Sequence, residues 1–143
     1  MKAIIAKQLG PPENLVIEEL EALTPGPGQI VVDNRAAAIN FPDLLVMEGK
    51  YQVKPPLPFS PGKESAGIVK SVGAGVNSVE VGDRVMVQVE YGTYAQEVLA
   101  EEAQCYPVPK DISFEEAAAI GIAYQTAHFA LVARAHIKDC LLY

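Results

Sequence analysis

Eleven prolines and eleven glycines are spread through the 143 residues, so turn signals repeatedly cut the chain into short segments. Proline has no amide to give a ladder and glycine adopts turn dihedrals cheaply, so long uninterrupted elements are excluded over most of the chain. Short strands joined by tight turns remain as the economical solution, and β-rich architecture is favoured. Half of the residues are hydrophobic and a fifth are charged, which fits a globular domain with its own core.

Lys2 to Gln8 is expected as a first strand, stopped by Gly10-Pro11-Pro12, and Asn14 to Leu20 as a second, the two forming a hairpin. Thr24-Pro25-Gly26-Pro27-Gly28-Gln29 is a rigid double turn ahead of a long strand from Ile30 to Ile39. Phe41 to Glu48 suits one or two helical turns ended by Gly49. Four prolines between Lys54 and Gly62 force an extended loop. Ser65 to Val72, Asp83 to Val89 and Thr93 to Leu99 carry strand composition. From Asp111 the character changes: Ser113-Phe114-Glu115-Glu116 has capping-box form and starts a helix through Ala119, broken at Gly121 and resumed over Ile122 to Ile137. The reading is mainly β with α, a domain over residues 1–121 and a helical tail over 122–143.

A formal charge of −7 without any clustered lysines or arginines argues against nucleic acid and anionic membrane surfaces as partners. The apolar runs are too short to cross a bilayer, and Lys7 interrupts the N-terminal run before a signal core can form, so a cytoplasmic setting is expected. Cys105 and Cys140 stand 35 positions apart, which suits free thiols and not a four-cysteine zinc site. His128 and His136 have no metal-motif neighbours. Gly73-Ala74-Gly75 is expected to form a β-turn, because the third glycine and the following helix of a dinucleotide loop are missing.

Ala38-Ile39-Asn40-Phe41-Pro42-Asp43, Gly49-Lys50-Tyr51, Pro61-Gly62-Lys63-Glu64-Ser65-Ala66-Gly67, Val81-Gly82-Asp83-Arg84-Val85, Gly92-Thr93-Tyr94-Ala95 and Thr126-Ala127 follow one another in order. Each is weak alone; their order and spacing resemble the medium-chain dehydrogenase/reductase superfamily, in its quinone oxidoreductase branch. The resemblance implies a GroES-like irregular β-barrel with C-terminal helices, which carries the substrate half of an active site, with the Rossmann domain absent from this chain. It also implies a chain that is truncated and inactive alone.

The zinc-dependent branch has a cysteine where this chain has Asn40 and a histidine where it has Lys63. An amide and a charged ammonium are poor zinc ligands, so no metal is expected. The resemblance then implies reduction of a quinone or enone with NADPH. Asn40 and Tyr51 are the catalytic candidates, able to hydrogen-bond the oxyanion that develops on the acceptor. Asn40, Asp43, Leu45 and Tyr51 are the substrate-binding candidates, Leu45 lying where some members carry an aromatic residue. Glu64 is a supporting carboxylate, and Thr126 with Tyr124 would approach the cofactor. The alternative is a non-catalytic GroES-like module for interaction or dimerisation. Apolar positions Ile122, Phe129, Leu131, Val132 and Ile137 point to self-association as a homo-oligomer, or to a mobile tail, in the isolated chain.

Overall fold

The computed structural model describes residues 1–137, so Cys140 and the last six positions of the expected tail lie outside the described residues. Among the described residues seven strands and three α-helices follow one another: β1 Lys2–Ile5, β2 Val16–Glu19, β3 Gln29–Ala37, α1 Phe41–Met47, β4 Glu64–Val72, β5 Arg84–Gln88, β6 Glu97–Glu101, β7 Cys105–Pro107, α2 Phe114–Ala119 and α3 Gln125–His128. β1 and β2 form an antiparallel hairpin, and the other five strands form a second antiparallel sheet in the order β6-β3-β4-β5-β7. That sheet curls into a half-barrel with the helical segment at its C-terminal end.

The hairpin is shorter than expected. β1 stops at Ile5, Pro12–Asn14 makes a 3₁₀ turn, and β2 begins only at Val16. Beyond β1 the chain is held from outside: Ala6 and Phe59 exchange backbone bonds of 2.8 and 3.2 Å. Phe59 is flanked by the prolines of the extended loop, where amide donors are scarce, so this exchange pins the loop to the hairpin. The strand expected over Thr93 to Leu99 is displaced to Glu97–Glu101, because residues 93–96 are used as a site loop tied to β3: Asn34 Nδ2 donates to the carbonyls of Thr93 and Ala95. The composition reading missed β7, a three-residue edge strand ending in Pro107, which closes the ladder as proline does at a sheet edge.

Ile30, Val32, Val69, Val85, Val87, Val98 and Ala100 form the main core, all nearly inaccessible to solvent. β-branched side chains dominate it, as expected where strands pack on both faces. Cys105 joins this core; burial, with the Glu102 charge beside it, pushes its thiol up to about 11. A smaller cluster of Ala66, Ala117 and Ala118 seats α2 on β4, small side chains allowing the helix to approach closely.

Gly121 does not break the helical segment. The chain widens there into a π turn, Ile120–Tyr124, runs through α3, and ends in a second π turn, Phe129–Arg134. Past Ile122 every described side chain is exposed, including Phe129, Leu131, Val132 and Ile137. The glycines at 73 and 75 belong to a turn: no helix follows, and Glu102 Oε1 accepts the amides of Asn77 at 2.8 Å and Ser78 at 2.6 Å. A carboxylate therefore holds amides that an anion would otherwise need.

Glu97 is nearly inaccessible and accepts from Lys70 and from the Leu23 amide, and these donors hold its carboxyl below the ordinary glutamate value of 4.5. A depressed folded-state pKa contributes stability above the unfolded value, and that contribution is lost as pH falls. The difference in denaturation midpoint between wild type and Glu97→Gln is therefore expected to be present at pH 7 and to shrink below about pH 4.5. A difference that stays constant through the acid range would refute the assignment.

Candidate active site

Asn40 sits in extended conformation immediately before α1 and acts as its N-cap, with Pro42 inside the first turn. Asp43 supplies the reciprocal half of a capping box, its Oδ2 accepting the Asn40 amide at 2.7 Å. The oxygen of the Asn40 side chain faces the helix end, which leaves its nitrogen to turn elsewhere. Its Nδ2 donates to Glu64 Oε1 at 2.9 Å, and Glu64 lies at the start of β4, 1% exposed. The second carboxylate oxygen, Oε2, accepts the backbone amide of Ile122 at 2.6 Å. Gly121 makes this possible: a Cβ there would stand 2.3 Å from Glu64 Oε2.

Asp43 is equally buried, and the Tyr94 hydroxyl donates to its Oδ2 at 2.8 Å. Burial raises the Asp43 carboxyl above the ordinary value, against the opposing pull of the Asn40 amide, the Tyr94 hydroxyl and the Lys63 charge. The Tyr94 phenol is pushed up in turn by burial and by the neighbouring carboxylates of Asp43 and Glu64. Tyr94 therefore stays a neutral donor.

Lys63 is 6% exposed, and a buried ammonium needs partners. It finds Glu90 twice, at 2.5 Å to Oε2 and 3.0 Å to the carbonyl, and lies 4.7 Å from the centroid of the Tyr51 ring. The ammonium over the ring face is a cation–π contact. Tyr51 packs by its ring against Ala6, Val46 and Phe59, while its hydroxyl makes no hydrogen bond to any described residue.

Asn40 and Asp43 are thus brought together directly, and Tyr51 joins them through Lys63, whose charge acts on Asp43. Leu45 is half-buried, and its carbonyl accepts the amides of Lys50 at 2.8 Å and Tyr51 at 3.1 Å. Its neighbour Leu44, with Met47, Ile4, Ile17 and Tyr94, lines an apolar cleft of about 700 Å3 between the hairpin and β3. Tyr124 and Thr126 lie on the exposed helical segment beyond Ile122 and, among the described residues, share no side-chain hydrogen bond with the polar centre. Among the described residues, no three histidine, cysteine, aspartate or glutamate side chains are grouped to hold a metal.

Sequence reasoning missed Glu90, Tyr94, Gly121 and Ile122. The signal for Tyr94 lies in the Gly-Thr-Tyr-Ala segment; for Gly121 the sequence signals a helix breaker, whereas the structure uses the space it leaves.

A curled antiparallel half-barrel carrying an amide, an ammonium and two buried carboxylates at one end defines a GroES-like domain of the medium-chain dehydrogenase/reductase superfamily. Residues 26–110 match the model of the alcohol dehydrogenase GroES-like domain, and the chain belongs to that family. It is 46% identical over 107 residues to the synaptic vesicle membrane protein VAT-1 homolog of Rattus norvegicus, covering 75% of this chain and 26% of the relative. It is 36% identical over 137 residues to quinone oxidoreductase-like protein 2 of the same organism, covering 96% of this chain and 39% of that one. The crystal structure of Escherichia coli quinone oxidoreductase complexed with NADPH superposes with a TM-score of 0.85 at 34% identity, over 94% of this chain and 41% of that one. The chain thus spans from about a quarter to two fifths of the lengths of these relatives.

Proposed function

We propose that this chain is the acceptor-binding part of a zinc-independent, NADPH-dependent oxidoreductase that reduces quinones or enones. The observation that carries the reading is the state of Asn40 and Lys63, at the positions where zinc-dependent members place ligands. The Asn40 amide donates to a carboxylate and the Lys63 ammonium is committed to Glu90. Such a donor set suits hydrogen bonding to an oxygen, not coordination of zinc.

NADPH would supply a hydride. A quinone taking it at one carbonyl oxygen would pass an electron pair through the ring onto the other oxygen, which becomes a phenolate; an enone taking it at the β-carbon would pass the pair onto its carbonyl oxygen as an enolate. Asn40 retains a second N–H for that oxygen, and the hydroxyl of Tyr51, whose ring lies against Lys63, is a donor without a partner among the described residues. Tyr124 and Thr126, exposed on the helical segment, suit contacts to the nicotinamide half. The Asn77 and Ser78 amides that follow the Gly73–Gly75 turn are held by Glu102 and so are closed to a pyrophosphate. The family structure solved with NADPH supports the same cofactor here. A cytoplasmic setting suits the free Cys105 thiol, and among the described residues no helix is long and apolar enough to cross a membrane.

The chain joined to the nucleotide-binding part of a quinone oxidoreductase is expected to oxidise NADPH with small quinones or enones, and to do so unchanged after dialysis against a chelator. No turnover with any acceptor, or turnover that zinc restores, would overturn the reading.

A second reading, a non-catalytic module for interaction or dimerisation, is favoured by the exposed Tyr124, Phe129, Leu131, Val132 and Ile137. Under it, the isolated chain scatters light with a mass well above 15.3 kDa and retains a stoichiometric partner when Asn40 is substituted.

A further inference from the structure

Glu64 is a carboxylate shut away from water with each oxygen given to a different part of the molecule. Oε1 accepts from the Asn40 side chain at the head of α1, and Oε2 from the Ile122 amide within the π turn. Asn40 turns its NH2 group towards Oε1 at 2.9 Å, which fixes which way round the amide stands. Its Nδ2 then has one N–H bonded to Glu64 and one to spare. At the other end, Gly121 leaves the space that a Cβ would fill. The π turn is the kind of local widening of a helix that recurs at functional positions.

We propose that Glu64 is a positioning residue that couples the helical segment carrying Tyr124 and Thr126 to the orientation of the Asn40 amide. The coupling is a property of this chain, whereas its use in catalysis rests on the oxidoreductase reading above. A displacement of the helix at Ile122 pulls on Oε2, rotates the carboxylate and turns Asn40 with it. The side of the site that would meet the cofactor thus sets the donor that would meet the acceptor.

Gly121→Ala tests this while leaving both Glu64 and Asn40 chemically intact. Its added methyl group displaces Glu64 Oε2. In the chain alone, NMR is expected to show at least tenfold faster exchange of the Ile122 amide together with shifted Asn40 side-chain NH2 resonances. Glu64→Gln should move both signals as well, because its amide can accept from only one of the two donors through its single carbonyl oxygen. Movement of the Ile122 signal with unchanged Asn40 resonances, or movement of neither, would overturn the coupling. Should Gly121→Ala fail to fold, Asn40→Ala supplies the reverse test: faster Ile122 exchange supports the link and unchanged exchange refutes it. These readouts need no acceptor, so they stand apart from any failure of the quinone reading. In the joined enzyme, Gly121→Ala should lower kcat roughly tenfold at unchanged KM for NADPH, since small misplacements of a reacting group are costly.

Discussion

Asn40→Asp is expected to make the domain less stable as pH rises and, in an enzyme assembled around this chain, to reduce kcat/KM by about 100-fold, the usual scale for loss of an oxyanion donor. The substitution hardly changes shape, but it sets a second carboxyl group where Asn40 Nδ2 stands 2.9 Å from Glu64 Oε1. Two carboxylates that close, with Glu64 1% exposed, cannot both ionise, and the pair retains a proton well above the ordinary range. A raised folded-state pKa means that the folded form is favoured below the unfolded value, near pH 4, and loses that advantage as pH rises through the raised one. Denaturation midpoints of the variant at pH 4 and pH 8 should therefore diverge more than those of wild type. Asn40→Ala, which lacks the second charge, should not reproduce the divergence. Equal pH dependence in Asn40→Asp and wild type would mean that the two side chains do not meet.

Gly67→Ala should cost about 3 kcal/mol or prevent folding, at the upper end of what overpacking does. Gly67 lies in β4, opposite Asn34 of β3 and Val85 of β5, beside an irregularity in the β3–β4 register. A Cβ on it would stand 2.2 Å from the Asp33 carbonyl oxygen and 2.9 Å from Val32 Cγ1. The nearer obstacle is backbone in the middle of the sheet, which cannot swing aside as a side chain tip can. Gly75→Ala makes the fitting comparison: nothing lies within 4 Å of its added carbon, and only its φ of +87° opposes the change. That substitution should cost about 1 kcal/mol. Urea denaturation of the two variants separates the causes, and a Gly67→Ala loss no greater than that of Gly75→Ala would show that the strands spread easily.

Much of this architecture was readable before the structure because local chemistry and tertiary structure agree. Ser113 caps α2 as its Ser-x-x-Glu spacing requires, accepting the Glu116 amide at 3.1 Å, and Gly49 ends the α1 segment in a left-handed conformation. Agreement fails where long-range contacts decide. Thr93 to Gln96 have strand composition but are held by Asn34 as a loop, and β7 consists of three residues whose strand character comes from pairing with β5. At the site, Asn40 and Asp43 were legible because they stand together in the Ala38–Asp43 motif that carries the family resemblance, whereas Glu90 and Ile122 act from 27 and 58 positions away from their partners. Gly121 shows the limit most clearly: its helix-breaking propensity was weighed, but only the folded chain reveals the carboxylate that its missing side chain admits.

The burial of Cys105 in the core has a chemical consequence beyond packing. Quinones and enones are electrophiles that alkylate thiolates, so a protein that receives them risks its own nucleophiles. With its thiol at about 11, Cys105 presents roughly one thiolate in ten thousand at neutral pH, and the half-barrel screens even that fraction from solvent. The hydrophobic packing of β7 thereby doubles as chemical armour, keeping this sulfur out of the reactions that the proposed acceptors would otherwise undergo with it.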